Sequence, residues 1–126
     1  MLSVKGRIVT GVQDFRKRMT LFPEVFREAT GQALYPGTLN VKIDREIKIK
    51  EDFRIQGVSL GDPQQELLFE KCLINGTNAY RIRPRHITTG AGGHGDHIRE
   101  IACPAWIPNA ICGSEVEVSF FRDEGD

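Results

Sequence analysis

Leu39, Val41 and Ile43 alternate with Thr38, Asn40, Lys42 and Asp44, which is the period of a strand with one covered face. The same alternation predicts strands over residues 3–10 and 115–121, the latter turning Val116, Val118 and Phe120 inward. Phe22, Val25, Phe26 and Ala29 instead follow helical spacing, with Pro23 suited to the first turn and Gly31 to the C-terminal cap. Residues 12–19, with Arg16-Lys17-Arg18 among them, read as a polar loop. Ile47, Ile49, Phe53 and Ile55 predict one or two short strands. Residues 66–74 and 78–83 flank Asn75-Gly76, a strong hairpin signal because both turn positions tolerate positive φ. A strand over 98–103 stops at Pro104, residues 105–111 hold at most one helical turn, and the tail from Arg122 reads as frayed. The chain is therefore mainly β, with one or two short helices. Six or more strands in so short a chain favour a closed or nearly closed small barrel, since closure removes exposed edges.

Length and composition narrow the picture. The 126 residues suit a single domain over 1–126, and 13 glycines suit a fold with many tight turns. Seventeen basic and seventeen acidic residues cancel, which argues against nucleic acid as a partner. Cys72, Cys103 and Cys112 are odd in number and form no Cys-x-x-Cys pair, so neither a disulfide framework nor a cysteine zinc site is expected; a cytoplasmic setting is. Residues 1–10 lack the apolar core of a signal peptide, and no run approaches the roughly 20 apolar residues of a membrane span.

Several constellations can carry chemistry. Either Thr38 caps the turn at Tyr35-Pro36-Gly37 and Asn40 bonds to neighbouring backbone, or the two present neutral oxygens to a Mg²⁺ site shared with phosphates. Arg81, Arg83 and Arg85 share one strand face, as a solvated outer surface opposite acidic side chains or as an anion-binding wall. The glycine-rich run 88–97 suits a flexible loop or close backbone approach to a ligand. His94, Asp96 and His97 within it are too few and too close together for a strong transition-metal site. Glu100 sits among apolar neighbours and needs a partner, and Trp106 covers a core edge or stacks on a ring. No residue stands out as a catalytic base.

The ordered context of these segments resembles the archaeal-type CTP-dependent riboflavin kinases. The resemblance rests on Gly37-Thr38-Leu39-Asn40 after a helix, inside LYPGTLNVKID, and extends to GRIVTGV, TLFPEVFREATG, RPRHITTG, IREIACP and CGSEVEVSF. It implies a six-stranded cradle-loop barrel that transfers the γ-phosphoryl of CTP to riboflavin, giving FMN and CDP. It implies Mg²⁺ on Thr38 and Asn40, and Thr88, Thr89 and Glu100 on the flavin side. Gly11, Val12 and Arg16, together with Ala105, Trp106 and Asn109, would lie on the nucleotide side. The small-molecule partners would be a nucleotide and a flavin. The chain departs from the family in its first loop, which keeps only Gly11 and carries Asp14. A non-catalytic flavin- or nucleotide-binding barrel is the alternative expectation.

Overall fold

The computed structural model of the chain describes residues 1–9, 15–43, 45–85, 98–103 and 111–123, with residues 98–100 described by their backbone. Seven strands form one sheet: β1 (Leu2–Val9), β2 (Leu39–Ile43), β3 (Phe53–Ile55), β4 (Leu67–Ile74), β5 (Thr77–Pro84), β6 (Ile98–Ala102) and β7 (Glu115–Phe120). Two helices, α1 (Arg16–Leu21) and α2 (Pro23–Thr30), and a 3₁₀ turn at Gly57–Leu60 complete the described residues.

Every pairing is antiparallel, in the order β3-β4-β5-β6-β2-β1-β7, and β7 returns to β4. Six strands therefore close a ring, and β3 lies outside it as a short addition. One edge of β4 pairs with β5 throughout, while the other is shared. Leu67, Leu68 and Phe69 pair with β3, and Cys72, Leu73 and Ile74 pair with β7. The β4–β5 hairpin turns at Asn75 (φ 49°) and Gly76 (φ 80°), the positive-φ pair that Asn-Gly favours.

Closure needs one tight approach. A Cβ on Gly6 in β1 would sit 2.6 Å from Val41 Cγ1 and 2.8 Å from the Lys42 carbonyl oxygen, so only glycine lets β2 pack there.

The ring separates two apolar clusters. Inside lie Leu2, Val4, Ile8, Val41, Ile43, Cys72, Ile74, Ile101, Val118 and Phe120. Outside β4 and β5, Phe69, Leu67, Tyr80 and Ile82 pack beneath Phe15, Met19 and Phe26 of the helical segment. Phe53 stacks on Phe69 at 4.8 Å, and Phe26 meets the Phe69 ring edge-on at 6.2 Å. Such aromatic pairs contribute roughly 0.5–1.5 kcal/mol each beyond their buried area.

Helix α2 has the predicted start at Pro23 and ends on Gly31 in the left-handed region. Helix α1 corrects the polar-loop reading of residues 12–19 over its described part, from Phe15 on. Its basic residues face outward, while Phe15 and Met19, four apart, bury one edge under α2. A stripe only two residues wide is easily hidden by Arg16-Lys17-Arg18.

The arginine row is corrected too. Arg85 is exposed and pairs with Glu66, but Arg81 and Arg83 are buried. Both alternate with Tyr80 and Ile82, which face the helices, and so lie on the inner side of β5 with Ala79. Glu70 stands opposite Arg81 in the ladder, 3.7 Å from its Nη1. Arg122 reaches the same carboxylate at 3.3 Å, donates to the Lys48 carbonyl at 3.2 Å, and lies over the Phe120 ring at 5.1 Å. Arg122 is thus buried where the sequence predicted a frayed tail.

Candidate functional site

Strand β2 carries Asn40, one of the two predicted metal residues. Leu39, Val41 and Ile43 face the barrel interior as predicted, which puts Asn40 and Lys42 on the outer wall. Lys42 is exposed, yet Asn40 keeps only 7 % of its surface. Its side-chain oxygen Oδ1 is buried and accepts no hydrogen bond among the described residues. Leaving a buried amide oxygen unsatisfied costs on the order of 1–3 kcal/mol, so this atom suits a ligand or a cation.

Thr38 precedes β2 and is half-buried. The turn that delivers it is fixed from two sides. The Tyr35 N–H donates to the Cys103 carbonyl at 2.8 Å, beside the end of β6. The Gly37 N–H donates to Met19 Sδ of α1 at 3.3 Å. Gly37 has φ 108°, a conformation that residues with a Cβ rarely adopt, so the sequence must place glycine here. A Cβ at Gly37 would lie 3.9 Å from Cβ of Arg16, which sets Arg16 beside the turn.

The register around Asn40 joins further predicted residues. Asn40 stands opposite Val9 on one side and Glu100 on the other, and Glu100 in turn stands opposite Ile82. Opposed residues in antiparallel strands have Cα atoms roughly 4.5–5.5 Å apart. Val9 and Cys103 both border β2 or its leading turn. Of the expected site residues, Thr38, Asn40, Arg16 and the backbone of Glu100 are thus brought together. Gly11, Val12, Thr88, Thr89, Ala105, Trp106 and Asn109 lie outside the described residues, as do His94, Asp96 and His97.

The donor set fits Mg²⁺ better than a transition metal. Thr38 and Asn40 offer hard, neutral oxygens, and Mg²⁺ takes few protein ligands and completes its shell with water and phosphate. Among the described residues no group of three His, Cys, Asp or Glu side chains converges on one point. Burial raises the Cys72 thiol to about 12 and the Cys103 thiol to about 11, which removes both as nucleophiles near neutral pH. Cys112 is exposed, and Cys72, Cys103 and Cys112 form no disulfide among the described residues.

Sequence reasoning missed the role of Met19. A lone methionine in a basic segment gives no sign that its sulfur will hold a distant turn; only its i+4 spacing from Phe15 hinted at burial. Among the described residues no helix is long and apolar enough to cross a membrane.

No family profile matches the chain. The chain is similar to a riboflavin kinase of Thermofilum pendens, with 26% identity over 132 aligned positions. The alignment covers 93% of this chain and 58% of that protein, so the chain spans little more than half the length of its relative.

Proposed function

We propose that the chain is a riboflavin kinase that moves the γ-phosphoryl of a nucleoside triphosphate, CTP by family resemblance, to riboflavin, giving FMN. One observation carries the reading: the buried, unsatisfied Oδ1 of Asn40, on the turn-and-strand segment Gly37-Thr38-Leu39-Asn40 and opposite Glu100. The similarity to a riboflavin kinase supports it.

Thr38 and Asn40 hold Mg²⁺ in this reading, and Glu100, with Thr88 and Thr89, orients riboflavin across the β2–β6 ladder. Gly11, Val12 and Arg16 from one side and Ala105, Trp106 and Asn109 from the other hold the nucleotide. Thr38 and Asn40 would hold a Mg²⁺ ion whose charge would offset that of the phosphate oxygens. Phosphoryl transfer asks mainly for positioning and charge neutralisation, so these few donors suffice. The buried Asn40 amide is already fixed by its strand, which lowers the cost of ordering a ligand around it.

Riboflavin, Mg²⁺ and each of the four common nucleoside triphosphates should give FMN, resolved by chromatography, with at least one donor. Asn40→Ala should lower turnover by roughly 10²-fold, as expected for loss of one preorganised group at the reacting centre. Absence of FMN with all four donors would remove the proposal.

A further inference from the structure

Met19 is the sole internal methionine of the chain, since the other is Met1. Leucine would fill the same place in the core, as the two side chains are close in volume and exchange readily. What leucine cannot supply is an acceptor. Met19 Sδ takes the Gly37 N–H at 3.3 Å, at a residue held at φ 108°. Pro36 before it has no N–H to give, and Thr38 follows it directly into β2. One thioether therefore ties the helical segment to the turn that presents Thr38 and Asn40.

The same side chain has a route to water. Met19 keeps only 3 % of its surface exposed, yet it forms part of the wall of a cavity of about 270 Å³ between the helical segment and residues 33–36. Phe26 and Leu34 share that wall, and Thr20 and Glu24, which also line it, are exposed. A space of this size takes several waters, and hydrogen peroxide is little larger than water.

We propose that Met19 is a modification site: a hydroperoxide oxidises its thioether to the sulfoxide and so releases the turn that carries the candidate metal residues. An electron pair of Sδ forms the new S–O bond as the peroxide O–O bond breaks. The departing oxygen takes the proton left on the new S–OH group and leaves as water, so sulfur is oxidised by two electrons and the peroxide is reduced. An oxygen added on the Gly37 side pushes the turn away. An oxygen added on the cavity side leaves a positively polarised sulfur, which no longer accepts from the Gly37 N–H. In both cases a polar group enters a cluster shared with Phe15 and Phe26. The Tyr35 N–H keeps its bond to the Cys103 carbonyl, so the turn is loosened at one point and not unfolded. Met19 acts here through Gly37, as a positioning residue. Its effect on catalysis rests on the phosphoryl-transfer reading above, whereas its hold on the turn does not.

The test uses the full chain carrying Cys112→Ser, which removes the exposed thiol as a second target of peroxide. After treatment with hydrogen peroxide, peptide mass mapping locates the added oxygen. Met1, 57 % exposed, should be converted first and Met19 more slowly, both in the folded chain. Deuterium exchange of the Gly37 amide, followed by NMR, should quicken several-fold once Met19 is oxidised. The Mg²⁺ needed for half-maximal FMN formation should rise roughly tenfold, as is usual when a group that orients a metal ligand is lost. Met19→Leu, which keeps the packing, should show the fast Gly37 exchange before treatment and no further change after it. Oxidation of Met19 only as the chain unfolds overturns the proposal, and so does an unchanged Gly37 exchange in the sulfoxide form. An active, oxidised chain with an unchanged Mg²⁺ requirement overturns it as well, as does an equal response to peroxide in the Met19→Leu chain. A chain that makes no FMN before treatment overturns the kinase reading instead, and Gly37 exchange still decides whether oxidised Met19 lets go of the turn.

Discussion

The two sides of the barrel wall differ in which face carries their charged residues. On the β1–β2–β7 side the interior is apolar, through Val4, Ile8, Val41, Ile43, Val116 and Val118, and the outer face carries Lys5, Arg7, Lys42, Glu115 and Glu117. On the β4–β5 side the outer face is apolar, through Leu67, Phe69, Tyr80 and Ile82, and the inner face carries Glu70, Arg81 and Arg83 beside the apolar Cys72, Ile74 and Ala79. The difference follows from what covers each side. The α1–α2 segment lies over β4 and β5, so their outer residues are core. Asn40 is an outer-wall residue that is buried, and the exposed Lys42 follows it on the same wall. A ligand site belongs at such a margin, where polar atoms are shielded from water without being satisfied by the fold.

The contrast is broken most directly on the covered side. Phe69 is fully buried and touches Phe26 and Phe53. Phe69→Ala should cost about 3–5 kcal/mol in urea unfolding. That is a large part of the 5–15 kcal/mol typical of a domain this size. An outer-wall change on the bare side, Lys5→Ala, should stay within about 0.5 kcal/mol. Equal losses at the two positions would mean that the helical cover contributes little.

The same contrast explains what could be read from the chain. Strand β2, strand β7, the Asn75-Gly76 hairpin and helix α2 were legible because alternation, turn chemistry and capping all agreed there. The interior arginines were not. Alternation placed Arg81 and Arg83 on one face, but which face is inside depends on the helical cover, a tertiary fact. Their surroundings come from remote positions: Glu70 on β4, and Arg122 just beyond β7. The site was half legible. Glycine at position 37 and the Thr38/Asn40 spacing announced a special turn, whereas the opposition of Asn40 and Glu100 needed the β2–β6 register. The split pairing of β4, which left β3 outside the six-stranded ring, also had no local signal.

At the margin itself, Gly37→Ala should cost roughly 1–3 kcal/mol, the usual strain of a side chain held at positive φ. Unfolding in urea measures the loss. The variant should also need more Mg²⁺ for half-maximal FMN formation, because Thr38 follows the strained residue directly. An unchanged Mg²⁺ requirement would separate the turn from metal binding.

Asn40→Leu should act in the opposite sense on stability. The change replaces a buried amide that has an unsatisfied oxygen by an apolar group of similar volume, worth about 1 kcal/mol of added stability. FMN formation should be lost in the same protein. Stability gained with activity lost would mark Asn40 as kept for a ligand; a destabilised variant would mean that the amide serves the fold.

The smallest effect tests the charged interior beneath the covered side. Burial pushes the Glu70 carboxyl above its ordinary value of 4.5, against the Lys50 N–H and the Arg122 and Arg81 guanidiniums, which pull it down. A carboxyl raised in the folded state binds protons there that the unfolded chain has already released. Its contribution is therefore fully present below pH 4.5 and is lost as pH rises through the raised folded value. Urea unfolding of the unaltered chain and of Glu70→Gln across that window isolates this contribution. The advantage of the unaltered chain over the variant should shrink as pH rises. An advantage that grows with pH would mean that attraction to Arg122 and Arg81 outweighs desolvation. The interior of the covered side would then be held by its charges, much as the interior of the bare side is held by its apolar residues.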